Sequence, residues 1–520
     1  MGVFVSRSLR LSAVAAMISY PVYLGACAGG DEARLDDAAV AETHQSVTLA
    51  VRTARCNDDP RVKLGLVSAE ICVGADLFFR EPFGGNGRTC ATCHPVAHNF
   101  TIDPAFIATL HKNDPLFIAE NDPALAGLER PALMRQFGLI LENVDGADSP
   151  TTKFVMRSVP HTFAMATSVT AQAVPTDGTT RTPNERTGWS GDGAPNAGEL
   201  RDFQTGAVVQ HYTRSLARTS GTDFVLPTSD ELDRIVAYMR SVGRTNEIGL
   251  AALSLSDAGA EAGRLTFLDP AKRCNGCHNN AGANVAAGFN RNFDTGVERV
   301  RIADLNTAGI PSDGGFGGQG LASFNHDANN DTINDSFGNG TFNTPPLIEA
   351  ADTGPFFHTN AFATIEDAIT FYTTPAFAQS PAGGGNPIAL NATEIANVGR
   401  FLRVVNAAMN CQLALARITG LVQIIQNQQN QSADVQQSLA GLALAEVNDA
   451  IADLSGVPGL NASTQAQLQT AQASLQDAAA NGSHVHRLSD ALSAQAQIDA
   501  ANASLGTGMS FTIGGGSLMF

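Results

Sequence analysis

Cys90-Ala91-Thr92-Cys93-His94 and Cys274-Asn275-Gly276-Cys277-His278 are two copies of one pattern, far apart in a chain of 520 residues. Each sets two thiols one helical turn apart, with an imidazole directly after the second. Thiols at that spacing can add across the two vinyl groups of a haem, and the adjoining imidazole then reaches the iron as its proximal ligand. Other chemistries of paired cysteines need other surroundings. A zinc ribbon wants its second pair after a short loop, and here the pairs are distant. A thioredoxin-type dithiol wants a βαβ setting and needs no histidine. The pattern therefore predicts two covalently bound haem c groups. One sits on Cys90, Cys93 and His94, the other on Cys274, Cys277 and His278, with His94 and His278 as iron ligands.

Around each copy the chain repeats an order: a helical stretch, the motif, long loops, a second helix. Asp202 to Arg218 and Ser229 to Ser241 carry apolar residues at helical spacing, and Ser229-Asp230-Glu231 is a helix-start signal. The second copy closes on a helix starting near Thr393-Glu394, with Ile395, Val398, Phe401, Leu402 and Val405 on one face. This weak internal duplication predicts a mainly α fold with two cytochrome c-like haem domains and long loops, residues 51–245 and 246–411.

Residues 412–520 change character. They are rich in Ala, Gln, Asn, Leu and Ser, and apolar residues such as Leu439, Leu442, Val447, Ile451 and Leu454 follow a helical period. Breaks at Gly456-Val457-Pro458-Gly459 and Asn481-Gly482 predict a C-terminal bundle of three or four antiparallel helices. Ser510 to Phe520 alternates around three glycines and predicts a short hairpin. His484 and His486, two apart, read as surface residues.

The N-terminus predicts export. Arg7 and Arg10 precede an apolar run ending at Leu24-Gly25-Ala26-Cys27. Residues 1–26 read as a signal peptide and Cys27 as a lipidated cysteine, followed by a flexible tether over 27–50. The expected location is the periplasm or cell surface, tethered to the outer membrane. No later stretch reads as a bilayer span, so the lipid is the sole expected membrane contact. Eight cysteines are present. Cys56 and Cys72 are the favoured disulfide partners by proximity, although spacing alone leaves connectivity open, and Cys411 reads as a buried thiol. A formal net charge of -18 disfavours nucleic-acid partners.

Leu77-Phe78-Phe79 through Gly85-Asn86-Gly87, the first motif and Phe100-Thr101 resemble the first haem segment of the bacterial dihaem cytochrome c peroxidase/MauG family. Thr344-Pro345-Pro346-Leu347, Gly354-Pro355-Phe356-Phe357-His358, Thr364 to Ala368 and Phe371-Tyr372 resemble its second. The resemblance covers 77–405 in patches and leaves out the C-terminal bundle. It implies a reactive haem on His94 and a relay haem on His278. It places Tyr372 as sixth ligand of the second iron, where the peroxidases have Met, and a hard phenolate there lowers the potential. It implies roles near the haems for Trp189 and His358. Candidates for a distal acid–base group are His211, Gln210 and His111. Asp327-Ala328-Asn329-Asn330-Asp331 spaces oxygen donors like the start of a calcium loop but lacks the later Gly and Glu, so a solvated loop is the better reading. The position of the family's calcium-binding Asn is Ala164.

The expected function is a peroxidase-type oxidoreductase. It would take hydrogen peroxide or dioxygen, and electrons from a donor protein or small reductant. Two alternatives stand beside it: an electron-transfer dihaem cytochrome without peroxide chemistry, and a dihaem oxygenase acting on a larger substrate.

Overall fold

The computed structural model describes residues 47–143, 154–169, 200–288, 290–297, 300, 302, 305, 307–310, 342–427, 432–480 and 482–520. The first helices are α1 (Leu49–Asp58) and α2 (Ala69–Arg80). The Ser68 side chain caps α2 by accepting from the Ile71 N–H at 3.2 Å. Cys56 of α1 is bonded to Cys72 of α2, the pairing favoured by proximity. The first motif is a single helical turn, α3 (Cys90–Cys93). Later come α4 (Leu200–His211) and α5 (Ser229–Met239); α5 starts at the predicted residue with Thr228 and Glu231 in a capping box.

The order then repeats. Helix α6 (Ala258–Leu268) precedes the second motif turn, α7 (Cys274–Cys277), and after α8 (Ile365–Phe371) comes α9 (Ala392–Asn427). Asn391 and Glu394 cap each other at the start of α9, where the sequence signal lies.

The duplication is physical. Gly74 is the sixth residue of α2 and Gly263 the sixth of α6. A Cβ at Gly74 would lie 1.9 Å from the carbonyl oxygen of Arg234 in α5, and one at Gly263 1.9 Å from that of Asn397 in α9. Each glycine thus lets a second helix cross its own at backbone contact. Four residues on, Phe78 and Phe267 are both 1% exposed. Phe78 meets Tyr238 of α5 at 5.2 Å between ring centroids, and Phe267 meets Phe401 of α9 at 5.5 Å.

Helix α9 does not stop at residue 411, where the second of the two repeated units is expected to end. It runs through Cys411, which is fully buried, into the C-terminal region. Its 36 residues extend about 54 Å at the ordinary α-helical rise. Its mean hydropathy over 18 residues reaches 1.3, so by length and composition it could cross a bilayer. This corrects the expectation that no later stretch has that character. The reason lies in packing: α6, α10 and α12 lie against it, and a helix surrounded by protein is apolar on all sides.

Helices α10 (Ala433–Ser455), α11 (Ala462–Ala480) and α12 (His484–Leu505) complete a four-helix bundle with the distal half of α9. Their buried seams alternate steps of three and four. They are Ala440, Ala443, Val447, Ala450 and Leu454; Thr464, Leu468, Ala471, Leu475 and Ala478; and Arg487, Ala491, Ala494, Ile498, Ala501 and Leu505. That is the period of left-handed helix packing, with alanines bringing the axes close. Leu442 and Ile451, expected in the core, are only half-buried; alanine takes the core positions beside them.

Among the described residues the strands are short and antiparallel. β1 (Leu139–Glu142) pairs with β2 (Val155–Ser158). β3 (Ser254–Leu255) pairs with β6 (Gly506–Thr507), and β4 (Asn292–Phe293) with β5 (Phe342–Asn343). The fold is therefore mainly α-helical, with small antiparallel sheets and a C-terminal helical region.

The tail corrects the hairpin expectation. Its polar groups pair with other elements. Thr245 N–H donates to Thr512 O at 2.8 Å, Gly243 N–H to Ser517 Oγ at 2.8 Å, Arg417 Nε to Ser517 O at 2.9 Å and Arg61 Nη1 to Leu518 O at 2.9 Å. The Phe520 ring lies 4.8 Å from that of Phe79, beneath the Arg80 guanidinium.

Candidate functional site

The two motif turns are built alike. His94 N–H donates to Cys90 O at 2.9 Å, and His278 N–H to Cys274 O at 3.1 Å. The histidines leave their turns with φ/ψ of -117°/62° and -109°/67°. Each imidazole is then tied by Nδ1 to a main-chain carbonyl: His94 to Phe100 at 2.8 Å and His278 to Pro345 at 3.0 Å. With Nδ1–H donating to a carbonyl, Nε2 keeps its lone pair and the ring its direction. Burial lowers the pKa of His94, and brings that of His278 to about 4, so both rings are neutral at pH 7.

The thiols are not poised as thiolates in the folded chain. Burial pushes Cys90 and Cys274 up to about 11 and Cys93 to about 12, and raises Cys277 as well. Reactive dithiols have the opposite shift. Among the described residues no three His, Cys, Asp or Glu side chains converge as metal ligands. The sulfurs and imidazole of a motif thus do not close on one centre.

Beside the second motif lies a cavity of about 320 Å³. Cys274, Cys277 and His278 line it together with Tyr372, His358 and His161. The remaining wall is mostly apolar, with Phe267, Phe293, Phe342, Pro346, Leu347, Ile369 and Leu402 among its residues. Tyr372 follows the last residue of α8, and its carbonyl accepts from Ile388 N–H at 2.9 Å. Its ring sits among Phe371 and Phe377, each 5.2 Å away, and burial raises its pKa, which keeps the phenol protonated. His358 is 5% exposed and stacks on Phe342 at 4.3 Å, on the wall of this second cavity.

The first motif is enclosed by two core clusters. Cys90 packs with the cluster holding Phe78, Phe83, Phe100 and Tyr212; Cys93 packs with Ile102, Ile107, Phe117 and Met134. The Tyr212 hydroxyl donates to Cys90 Sγ at 3.2 Å. Arg88 is 1% exposed, bonded to Glu129 at 2.8 Å and to the carbonyls of Pro115 and Leu116.

His211, the last residue of α4, is the distal candidate that the fold brings to this site. Burial lowers its pKa to about 3, helped by the charges of Arg88 and Arg218 and by that of His94 when protonated. The other two candidates are placed otherwise. His111 is exposed and accepts from Asn113 N–H within its own turn at 3.2 Å. Gln210 Oε1 accepts from Asn143 N–H at 3.0 Å. Trp189, the lipid-bearing Cys27 and the acidic loop 327–335 lie outside the described residues. Ala164 has a left-handed backbone (φ 58°) and offers no side-chain oxygen to a cation.

His161 and Tyr212 carry no signal in the sequence. Neither belongs to a motif with a spacing rule, and only their positions beside the two sites single them out.

Both motifs fit a covalently held haem. The paired thiols are half-buried among apolar side chains, the imidazoles are fixed with Nε2 available, and the cavity beside the second motif is mostly apolar with a phenol on its wall.

No family model matches the chain, and no curated protein matches it. Among solved structures, a chain of the hydrazine synthase of Kuenenia stuttgartiensis, pressurized with xenon, is similar over 76% of this chain and 99% of that one. The identity is 15% and the TM-score 0.30, a likeness that bears on neither fold nor chemistry.

Proposed function

We propose that this chain is an exported dihaem c-type cytochrome with peroxidase-type chemistry, of the cytochrome c peroxidase/MauG kind. The observation that carries the reading is the doubled motif turn, with each imidazole tied by Nδ1 to a main-chain carbonyl and backed by apolar walls. In this reading the two crossed-helix units are haem domains. Cys90 and Cys93 hold one haem and Cys274 and Cys277 the other. A haem bound there supplies a redox-active iron, which no side chain of the protein can replace.

The protein's own residues then divide the work. His94 and His278 are the proximal ligands, held in orientation by Phe100 and Pro345. Tyr372 lines the second cavity and would offer its phenol oxygen to the second iron, which would have to displace the proton that burial otherwise retains. His211, neutral and close to the first site, can accept a proton from hydrogen peroxide at a ring nitrogen and return it to the leaving hydroxide oxygen, which departs as water. Trp189 is the electron relay of the resemblance. The lipobox-like Leu24-Gly25-Ala26-Cys27 supports a tether to the outer membrane, and the Cys56–Cys72 disulfide supports an oxidising compartment.

Two measurements test this. Intact mass and the pyridine haemochrome spectrum of the purified protein should give two haems per chain; no attached haem ends the reading. Hydrogen peroxide should then abolish a high-spin band. Two low-spin haems silent to peroxide would favour the electron-carrier alternative.

A further inference from the structure

One strip of chain touches both sites. Ser158, Val159, Pro160 and His161 line the second cavity. The same strip backs the first motif, where Phe163 packs edge-on against Phe100 at 5.2 Å. It is pinned to the second site by its start: Ser158 N–H donates to His358 O at 2.7 Å and Ser158 Oγ to Phe357 O at 3.1 Å.

A buried side-chain hydrogen bond links the strip to the first site. Thr101 Oγ1 donates to Val159 O at 2.6 Å. Thr101 is joined by one peptide bond to Phe100, and Phe100 O accepts from His94 Nδ1 at 2.8 Å. Thr101 is 4% exposed, Val159 3% and Phe100 3%, so water does not compete for either bond. The wall of the second cavity is therefore connected to the imidazole of the first motif through two hydrogen bonds and a short run of covalent bonds. His161 stands on the same strip, 7% exposed. Burial, with the charges of Arg244 and His94 as lesser causes, lowers its pKa to about 3.

We infer that Thr101 is a positioning residue that couples the two sites: its hydroxyl holds the strip Ser158–His161 against the loop that orients His94. This rests on the dihaem reading. In that setting the haems would supply the redox centres, a single electron would move between them with one oxidised as the other is reduced and no atom transferred, and the Thr101 bond would hold the protein between them in place. The Thr101 bond acts twice. It fixes the loop whose carbonyl sets the basicity of His94, and it closes a bonded route between the sites.

The test compares Thr101→Val, which keeps the shape and removes the hydroxyl, with Thr101→Ser, which keeps it. Readouts are the iron–histidine stretching frequency of the first haem, the reduction potentials of both haems, and the rate of electron redistribution after fast one-electron reduction. Thr101→Val should shift the first haem's stretch and potential, leave the second haem's potential in place, and slow redistribution at least fivefold. Thr101→Ser should restore all three. Two haems with unchanged stretch, potential and rate in Thr101→Val would overturn the coupling while leaving the dihaem reading intact. A wild-type chain without haem would overturn both. If Thr101→Val does not fold, Thr101→Ser against wild type still decides, since a purely steric role predicts the same defect for the smaller side chain.

Discussion

Arg244 Nε and Glu349 Oε1 form an ion pair at 2.7 Å in which both side chains are 0% exposed. Arg244 follows α5, at the end of the first repeated unit; Glu349 lies three residues before Asp352, in the turn beside the cavity of the second motif. Glu247 and the Asn246 carbonyl also accept from Arg244. A buried charge left without its partner is costly. Glu349→Gln should lower unfolding stability by about 3 kcal/mol in denaturant titration. A loss below about 0.5 kcal/mol would show that Glu247 alone satisfies the guanidinium.

The same substitution should have opposite outcomes at the helix crossings and away from them. Gly74→Ala and Gly263→Ala place a methyl against backbone carbonyls and should each cost about 1–3 kcal/mol. Gly441 lies within α10, and a methyl added there would meet nothing within 4 Å, so Gly441→Ala should stabilise by up to about 1 kcal/mol. Thermal or chemical denaturation of the three variants checks both signs.

Tyr372→Phe should alter the absorption and paramagnetic spectrum of one haem and leave haem content unchanged. The ring packs against Phe371 and Phe377, and phenylalanine preserves that packing. Identical spectra before and after the change would reject Tyr372 as a ligand.

His211→Gln should slow the reaction with hydrogen peroxide by about 10²–10⁴-fold at unchanged haem content, the usual worth of a positioned acid–base group. His111→Gln, at an exposed turn, should leave the rate as it was. Equal effects of the two would remove His211 from the first site.

A carboxyl cluster lies where the bundle meets the second half of the chain. Asp352 accepts from Asn406 at 2.5 Å and from Asn410 at 2.8 Å, while Asp453 and Asp449 reach in from α10. Glu446, Arg403 and Arg417 are the other charges facing it. Burial raises Asp352 to about 6 and raises Asp449 and Asp453 too. The folded state then binds more protons than the unfolded chain above the ordinary Asp pKa. Stability from this cluster is present at low pH and is lost as pH rises from about 4 through about 6. Asp453→Asn should flatten that dependence and raise stability at pH 7 by about 1 kcal/mol. A pH series of unfolding midpoints with the same slope in variant and wild type would contradict it.

The haem motifs, the helices around them, the start of α5 and the breaks of the bundle are legible in the sequence because each depends on local spacing. Cys-x-x-Cys-His is one helical turn, Ser229-Asp230-Glu231 signals a helix start, and Gly456 to Gly459 cannot continue a helix. The bundle's seams are only partly legible because alanine carries little hydrophobic signal, yet Ala440, Ala443 and Ala450 are the residues that let the helices approach. The full length of α9 does not stand out as one helix, since its two halves serve different neighbours.

Tertiary structure alone decided the rest. It put His211 near the first motif and His111 in solvent, laid the C-terminal tail across four other elements, and set His161 and Thr101 between the sites. None of these follows from spacing, because each joins residues distant in sequence, and such contacts are fixed by which faces pack and which buried polar groups must find partners. The doubled thiol-and-imidazole pattern was fixed by the order of residues; the hydrogen bond from the Thr101 hydroxyl to the Val159 carbonyl, which joins the loop after the first motif to the wall of the cavity beside the second, was fixed only by the fold.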